Sequence, residues 1–154
     1  SEREIQYLIL TGIITAIPSA LIWGKLVDKY GAKSIITIVL ILWLINLGLS
    51  IGSGVFNFNN DIWWFISGLT GILISGVWSC DRPFMHQLIS DEFIGEYFGL
   101  HGFSGRLGSI IGTASWGFIA TTLNLGQPIA LLSLGICILL SLIIIINIDV
   151  RENI

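Results

Sequence analysis

Most charged side chains that could do chemistry in this 154-residue chain fall in two short segments. The first, segment 24–33, carries three lysines and the single acid Asp28. Lys29 and Lys33 could bind anionic lipid or close a gate by pairing with carboxylates. Asp28 could accept hydrogen bonds from a neighbouring helix N-terminus, where negative charge is favoured. The chemistry that this segment favours is electrostatic holding, with no bond made or broken.

The second, segment 81–106, is the most polar part of the chain and contains Asp81, Arg82, Glu96 and Arg106 as a candidate charge network. Asp81 and Arg82 are adjacent, so they point in different directions on a helix and each needs another partner. Because opposite charges flank the segment, we hypothesise that Asp81 pairs with Arg106 to hold one gating state.

The position of Arg106 in the membrane depends on where its helix begins. If the helix begins near Glu96, Arg106 lies about 15 Å along it and faces the bilayer interior or a central cavity. If the helix begins near Gly105, Arg106 is an interfacial anchor that extends to the lipid headgroups, and we favour this second arrangement.

Catalytic and metal-binding patterns are missing from the sequence. We find no nucleotide-binding loop, nucleophile motif or zinc signature. His86 and His101 have no partners at metal-ligand spacing, and Cys80 and Cys137 lack the spacing of a metal site or redox pair. We therefore expect no enzyme activity, no cofactor and no metal.

The composition excludes an ordinary soluble domain. Hydrophobic residues make up 54% of the chain, charged residues 11%, and the mean hydropathy is +0.88. Soluble domains carry about 25% charged residues, which cover their surface. The net charge of -3 includes no basic stripe, so we expect no nucleic-acid partner. The lipid bilayer is the expected environment.

Uncharged runs in the sequence are long enough to cross that bilayer, which takes about 20 apolar residues per helix. The run 107–148 has room for two crossings, divided by the turn signal at 124–128. Runs such as 35–42 do not alternate, which excludes a strand barrel. We therefore predict an all-α membrane protein with about five transmembrane helices. Their expected bounds are about 7–24, 34–55, 62–82, 98–122 and 129–146, with an interfacial segment at 83–97.

The basic residues predict the orientation. Lysines and arginines flank alternate loops and the tail at Arg151, whereas loops 57–61 and 124–128 have none. By the positive-inside rule, the charged loops and the C-terminus are cytoplasmic.

Segment 24–33 resembles the signature loop of the major facilitator superfamily, Gly-x-Leu-[Ala/Val]-Asp-[Arg/Lys]-x-Gly-[Arg/Lys]-[Arg/Lys]. The matching residues are Gly24, Leu26, Val27, Asp28, Lys29, Gly31 and Lys33, whereas Ala32 replaces a basic residue. In that superfamily the loop joins the second and third helices of each six-helix half. Gly24 would allow close helix approach and Gly31 a tight turn. The alternative is an ordinary basic loop that only fixes topology.

Segments 76–83 and 91–106 resemble the C-terminal half of the vacuole-effluxer-like family, the autophagy-related branch of that superfamily. The residues on which this resemblance rests are a Gly-Glu-aromatic-Phe-Gly-Leu stretch at 95–100 and a Ser-Gly-Arg sequence at 104–106. The resemblance implies helices eight to twelve of a twelve-helix transporter, with a missing N-terminal half as partner. It also implies efflux of amino acids or similar small metabolites across a bacterial inner membrane.

Small residues at four-residue spacing predict faces for helix packing. They include Gly48, Gly52, Gly105, Gly108 and Gly112. Such rows let helices pack closely in lipid, or slide during alternating access. Two functions follow: a secondary transporter of a small solute, present here as a fragment, or a non-transporting membrane scaffold that assembles through these faces.

Overall fold

The computed structural model describes residues 2–56, 59–89 and 93–148. Within these ranges the backbone is helical, with short turns and no strand, which confirms the all-α prediction. A π-helical turn, Phe118–Thr122, extends the fourth helix. The helices are α1 (Glu2–Tyr30), α2 (Ala32–Phe56), α3 (Ile62–Leu88), α4 (Ile94–Gly117) and α5 (Gln127–Asn147).

Four helices, α1, α2, α3 and α5, are long and apolar enough to cross a membrane. The fourth predicted span, 98–122, is helical, but α4 is not among the candidate spans found in the described residues. Its seven glycines, together with Glu96, His101 and Arg106, give it a more polar sequence than its neighbours. Composition therefore supports four crossings directly.

The helices α1 and α3 run parallel. The Ser67 hydroxyl donates to the Leu8 carbonyl, and further along both helices the Trp23 indole N–H donates to the Ile72 carbonyl at 2.9 Å. Residue numbers therefore rise together along this contact, which is the most extensive one between helices.

The helix α2 is antiparallel to both α3 and α5. The Asn46 amide donates to the Thr70 hydroxyl at 2.9 Å, while the earlier residue Val39 packs against the later residue Gly76. The Lys33 ammonium, in the first turn of α2, contacts the C-terminal end of α5. The α1–α2 turn and the C-terminal ends of α3 and α5 thus lie together, at what we call the basic end. Its defining residues are Lys25, Lys29, Lys33 and Arg82.

Two of the closest approaches between helices occur at glycines of α3. A Cβ atom on Gly71 would lie 1.9 Å from the Gly12 carbonyl oxygen of α1. A Cβ atom on Gly76 would lie 3.1 Å from the Trp23 ring. Hydrogen bonds reinforce the contact, because the hydroxyls of Ser19 and Ser75 lie 2.7 Å apart in a buried position. Small residues thus bring the two backbones together, as membrane helices require.

The predicted interfacial segment at 83–97 is not a separate helix in the described residues. Pro83 lies inside α3, which continues to Leu88, and the backbone becomes extended at Ile89. Phe84 is buried in the core cluster beside Cys80. Pro83 lacks a backbone N–H and crowds the carbonyl four residues earlier, and van der Waals packing of the Phe84 ring in the core cluster offsets part of that cost.

Replacement of Gly71 by alanine should destabilise the bundle, because the added methyl group has no space beside the Gly12 carbonyl. Overpacking of this kind costs about 1–3 kcal/mol. The midpoint of thermal unfolding of the detergent-solubilised protein should fall by several degrees. Gly108→Ala is the control, since nothing lies within 4 Å of its Cβ position. Equal midpoints for the two variants would contradict the observed helix contact.

Candidate functional site

The turn inside segment 24–33 is tighter than the sequence predicted. The helix α1 continues to Tyr30, α2 begins at Ala32, and only Gly31 separates them. Gly31 has φ +81°, a conformation that favours glycine, and its N–H donates to the Val27 carbonyl at 2.9 Å. Val27 and Ala32 are buried, and packing of both residues extends the helices beyond the predicted ends at 24 and 34.

The other residues selected in this segment lie near the surface of the basic end. Asp28 and Lys29 are exposed, and the Lys29 ammonium lies 5.0 Å from the centroid of the adjacent Tyr30 ring. Gly24 is partly buried, but no atom lies within 4 Å of its Cβ position, so it makes no close helix contact among the described residues. Asp28 and Lys29 are thus available to lipid, water or a partner.

Lys33 has a contact that sequence analysis missed. Its ammonium donates to the Ile148 carbonyl at 2.6 Å and to the Ile146 carbonyl at 3.2 Å. The last carbonyls of a helix have no partner within the helix, and positive charge is favoured there. Lys33 therefore caps the C-terminal end of α5 and joins it to the turn at Gly31.

Asp81 pairs with His101 in this structure, and the pair of Asp81 with Arg106, predicted to hold one gating state, is not formed here and stays a prediction. The His101 Nε2 and Asp81 Oδ2 atoms lie 2.9 Å apart. Arg106 lies five residues further along α4 than His101, a rise of about 7.5 Å. Residue numbers run in opposite directions along this contact, because the later residue His86 of α3 lies against the earlier residue Phe98 of α4.

Arg82, Glu96 and Arg106 are all exposed. The helix α4 begins at Ile94, before Glu96, so Arg106 is not the first-turn anchor that we favoured. It lies twelve residues after Ile94 (106−94 = 12), about 18 Å along the helix. The observed start agrees with the alternative, in which Arg106 is well inside its helix.

The glycine rows chosen from the sequence do not make the observed helix contacts. No atom lies within 4 Å of a Cβ position at Gly48, Gly105, Gly108 or Gly112, and Gly52 is partly exposed. None of the residues of α4 is buried. The close contacts lie instead on α1 and α3. These contacts could have been recognised in the sequence from two sets of small residues spaced three or four apart. The sets are Gly12, Thr15 and Ser19 on α1, and Gly68, Gly71 and Ser75 on α3.

A buried amide inside the bundle was also missed. Asn46 is 2% exposed, its amide nitrogen donates to the Thr70 hydroxyl, and its Oδ1 atom has no partner among the described residues. Thr70 and Ser67 also line a groove of about 450 Å³ between α1 and α3 that is otherwise apolar. This groove is a candidate surface for a solute or a further helix.

Some sequence predictions fall on residues outside the described ranges. They concern Asp91 and Glu92, which belong to the predicted family motif, and the tail with Arg151. Among the described residues, no group of three or more His, Cys, Asp and Glu side chains could hold a metal ion.

Removal of the Lys33 charge should loosen the end of α5. Lys33→Met loses a charge–carbonyl interaction of about 1 kcal/mol, which corresponds to about fivefold faster amide exchange by local opening. Hydrogen–deuterium exchange of peptides that cover residues 142–148 measures this effect. Lys33→Arg should retain the protection. Lys25→Met is the matched control on an exposed lysine of the same segment. Exchange that is equal in Lys33→Met and Lys25→Met would contradict the capping role.

Comparison with known proteins adds one finding. A family model described as Major Facilitator Superfamily matches residues 1–153 of the chain. No curated protein and no solved structure gives a significant match. The match spans the tight turn at Gly31, the capped α5 helix and the α3–α4 junction, in an all-helical chain with four candidate membrane spans. The chain belongs to the Major Facilitator Superfamily.

Proposed function

We propose that this chain forms most of one half of a secondary transporter that moves a small solute by alternating access. The observation that carries the proposal is the basic end. There the glycine turn of segment 24–33, the capped end of α5 and the Asp81–His101 pair meet at one side of a bundle of apolar helices. Members of this superfamily are transporters, and the contacts at the basic end can hold helices in one arrangement. Together these two points favour gated movement of a solute.

The exposed surfaces support a bundle that needs further helices. None of the residues of α4 is buried, and the apolar residues Ile5, Ile9 and Ile13 of α1 are each at least half exposed beside the α1–α3 groove. We therefore propose that another half of the transporter packs here. The motif stretches at 95–100 and 104–106, both within α4, support the C-terminal half and the vacuole-effluxer-like branch.

The direction of the helices supports an orientation of the chain in the membrane, with the basic end on the cytoplasmic side. Lys25, Lys29, Lys33 and Arg82 share the basic end, and by the positive-inside rule that end faces the cytoplasm. Because α5 ends there, the C-terminus is proposed to be cytoplasmic as well. The membrane we propose is the inner membrane of a bacterium, as implied by the family resemblance.

The solute that we propose is an amino acid or a similar metabolite, moved outward. Residues 34–60, 62–80 and 107–148 contain no Asp, Glu, Lys or Arg, so this chain offers apolar groups and hydroxyls at membrane depth. Ser67 and Thr70 in the groove are examples. Charged groups of such a solute would then be bound by the other half of the transporter.

A non-transporting scaffold is the second candidate. The open glycine positions of α4 favour it, because a face of small residues can receive helices of another protein. Seven further helices encoded in frame upstream would favour the transporter, whereas a natural start at this chain would favour the scaffold.

Efflux from inverted vesicles or proteoliposomes that contain the complete gene product tests the proposal directly. Labelled amino acids are placed either inside or outside the vesicles. At least one of them should cross the membrane faster than it does in empty-vector vesicles. Asp28→Asn should reduce the rate about tenfold or more, because the exposed Asp28 carboxylate would lose the gate-forming charge contact that we propose it makes with the other half of the transporter, worth about 1.4 kcal/mol or more.

Lys25→Gln is the control for this variant, because its position is free in the family pattern. Normal membrane insertion with no movement of any labelled solute in the panel would contradict the transporter and favour the scaffold.

A further inference from the structure

The link between α3 and α4 consists of very few contacts. In the ranges that the structure describes, one hydrogen bond joins the two helices, from His101 on α4 to Asp81 on α3. The rings of His86 and Phe98 add an aromatic contact with centroids 5.4 Å apart. Because α4 has no buried residue, its position against α3 depends on these two contacts together with its contact with α5.

The hydrogen bond contains an imidazole, a side chain that can be charged or neutral. Histidine is the side chain that ordinarily changes charge between pH 5 and 8. A protonated imidazole beside a carboxylate makes a charge-assisted bond, roughly twice as strong as a neutral one. A neutral imidazole either donates one uncharged N–H bond or, in its other tautomer, turns a lone pair towards the carboxylate.

Water has access to this pair. The side chains of His101 and Asp81 are 34% and 41% exposed, so a proton can arrive from solvent at the basic end. In the described residues no other charged group forms an ion pair with either side chain. The charged or titratable groups of α1, α2, α3 and α4 nearest this end are Lys25, Asp28, Lys29, Tyr30, Lys33, Cys80, Arg82, His86, Glu96, Tyr97 and Arg106. The titratable side chain of α5 is Cys137, ten residues before the end of that helix (147−137 = 10).

We propose that Asp81 and His101 form a proton-binding site that fastens α4 to α3. When the imidazole takes a proton from water, it holds one N–H toward Asp81 Oδ2 and carries a full positive charge beside that carboxylate. When the proton returns to water, the bond loses its charge assistance and α4 moves away from α3 more often. In the proposed transporter, binding of a proton at this site would regulate the movement of α4. Only this regulatory role rests on the proposed function; the proton-binding site itself does not.

Spin-label distances between α3 and α4 test the proposal without any transport. Labels at Trp78→Cys and Ser109→Cys, in the full chain with Cys80 and Cys137 replaced by serine, report how far α4 lies from α3. One narrow distance should dominate at pH 5.5. At pH 8.5 the ratio of the narrow-distance population to the longer-distance population should fall about fivefold, because the charge-assisted bond is stronger than the neutral one by about 1 kcal/mol.

Variants of the two histidines separate this site from a general pH effect. His101→Gln should give the broad distribution at both pH values, and His101→Lys the narrow one at both. His86→Phe is the matched control, because it removes the second imidazole but keeps an aromatic ring beside Phe98, and it should keep the pH response. A distribution that does not change with pH in the parent protein would overturn the proposal, as would a pH response that persists in His101→Gln.

Transport measurements distinguish failure of this site from failure of the proposed function. If the labels respond to pH as expected but no solute moves, the proton site stands and the transporter does not. If solute moves at rates that His101→Gln leaves unchanged between pH 5.5 and 8.5, and the label distances ignore pH, the proton site is wrong and the transporter stands.

Discussion

Helices in lipid gain little from burying apolar side chains against each other, because lipid tails are equally apolar. Close backbone contact and interhelical hydrogen bonds must therefore hold this bundle. The α1–α3 pair supplies both, through the approach of Gly71 to the Gly12 carbonyl and the buried Ser19–Ser75 hydrogen bond. The Thr15 hydroxyl adds a bond to the Gly68 carbonyl at 2.9 Å. The remaining helices are arranged around this pair.

The α1–α3 pair also positions the basic end. Because the two helices run parallel and in fixed register, the end of α1 with its Gly31 turn lies beside the last turns of α3. The helix α2 then returns across α3, and Lys33 fastens the end of α5 to the same region. The helix α4 is the exception, since it has no buried residue and is joined to α3 at Asp81 and His101 and to α5 by a second contact.

Sequence reasoning predicted the helical class, the apolar helices α1, α2, α3 and α5, and the glycine turn, because hydropathy and the left-handed conformation at Gly31 are local properties. It failed where helix faces had to be chosen. In a chain with apolar residues on all sides, hydropathy does not say which face meets a neighbour, so the contacting glycines of α1 and α3 were overlooked. The start of α4 failed for a related reason. The helix α3 continues past Pro83 with Phe84 packed in the core cluster, and His101 of α4 lies opposite Asp81.

Disulfide formation across the α1–α3 contact measures this constraint most directly. Ser19→Cys with Ser75→Cys, with the native cysteines Cys80 and Cys137 replaced by serine, should cross-link rapidly under mild oxidation in the membrane, since the two hydroxyl oxygens lie 2.7 Å apart. Ser19→Cys with Ser109→Cys on α4 should not. Failure of the first pair, or equal cross-linking of both, would contradict the account of how this bundle is held together.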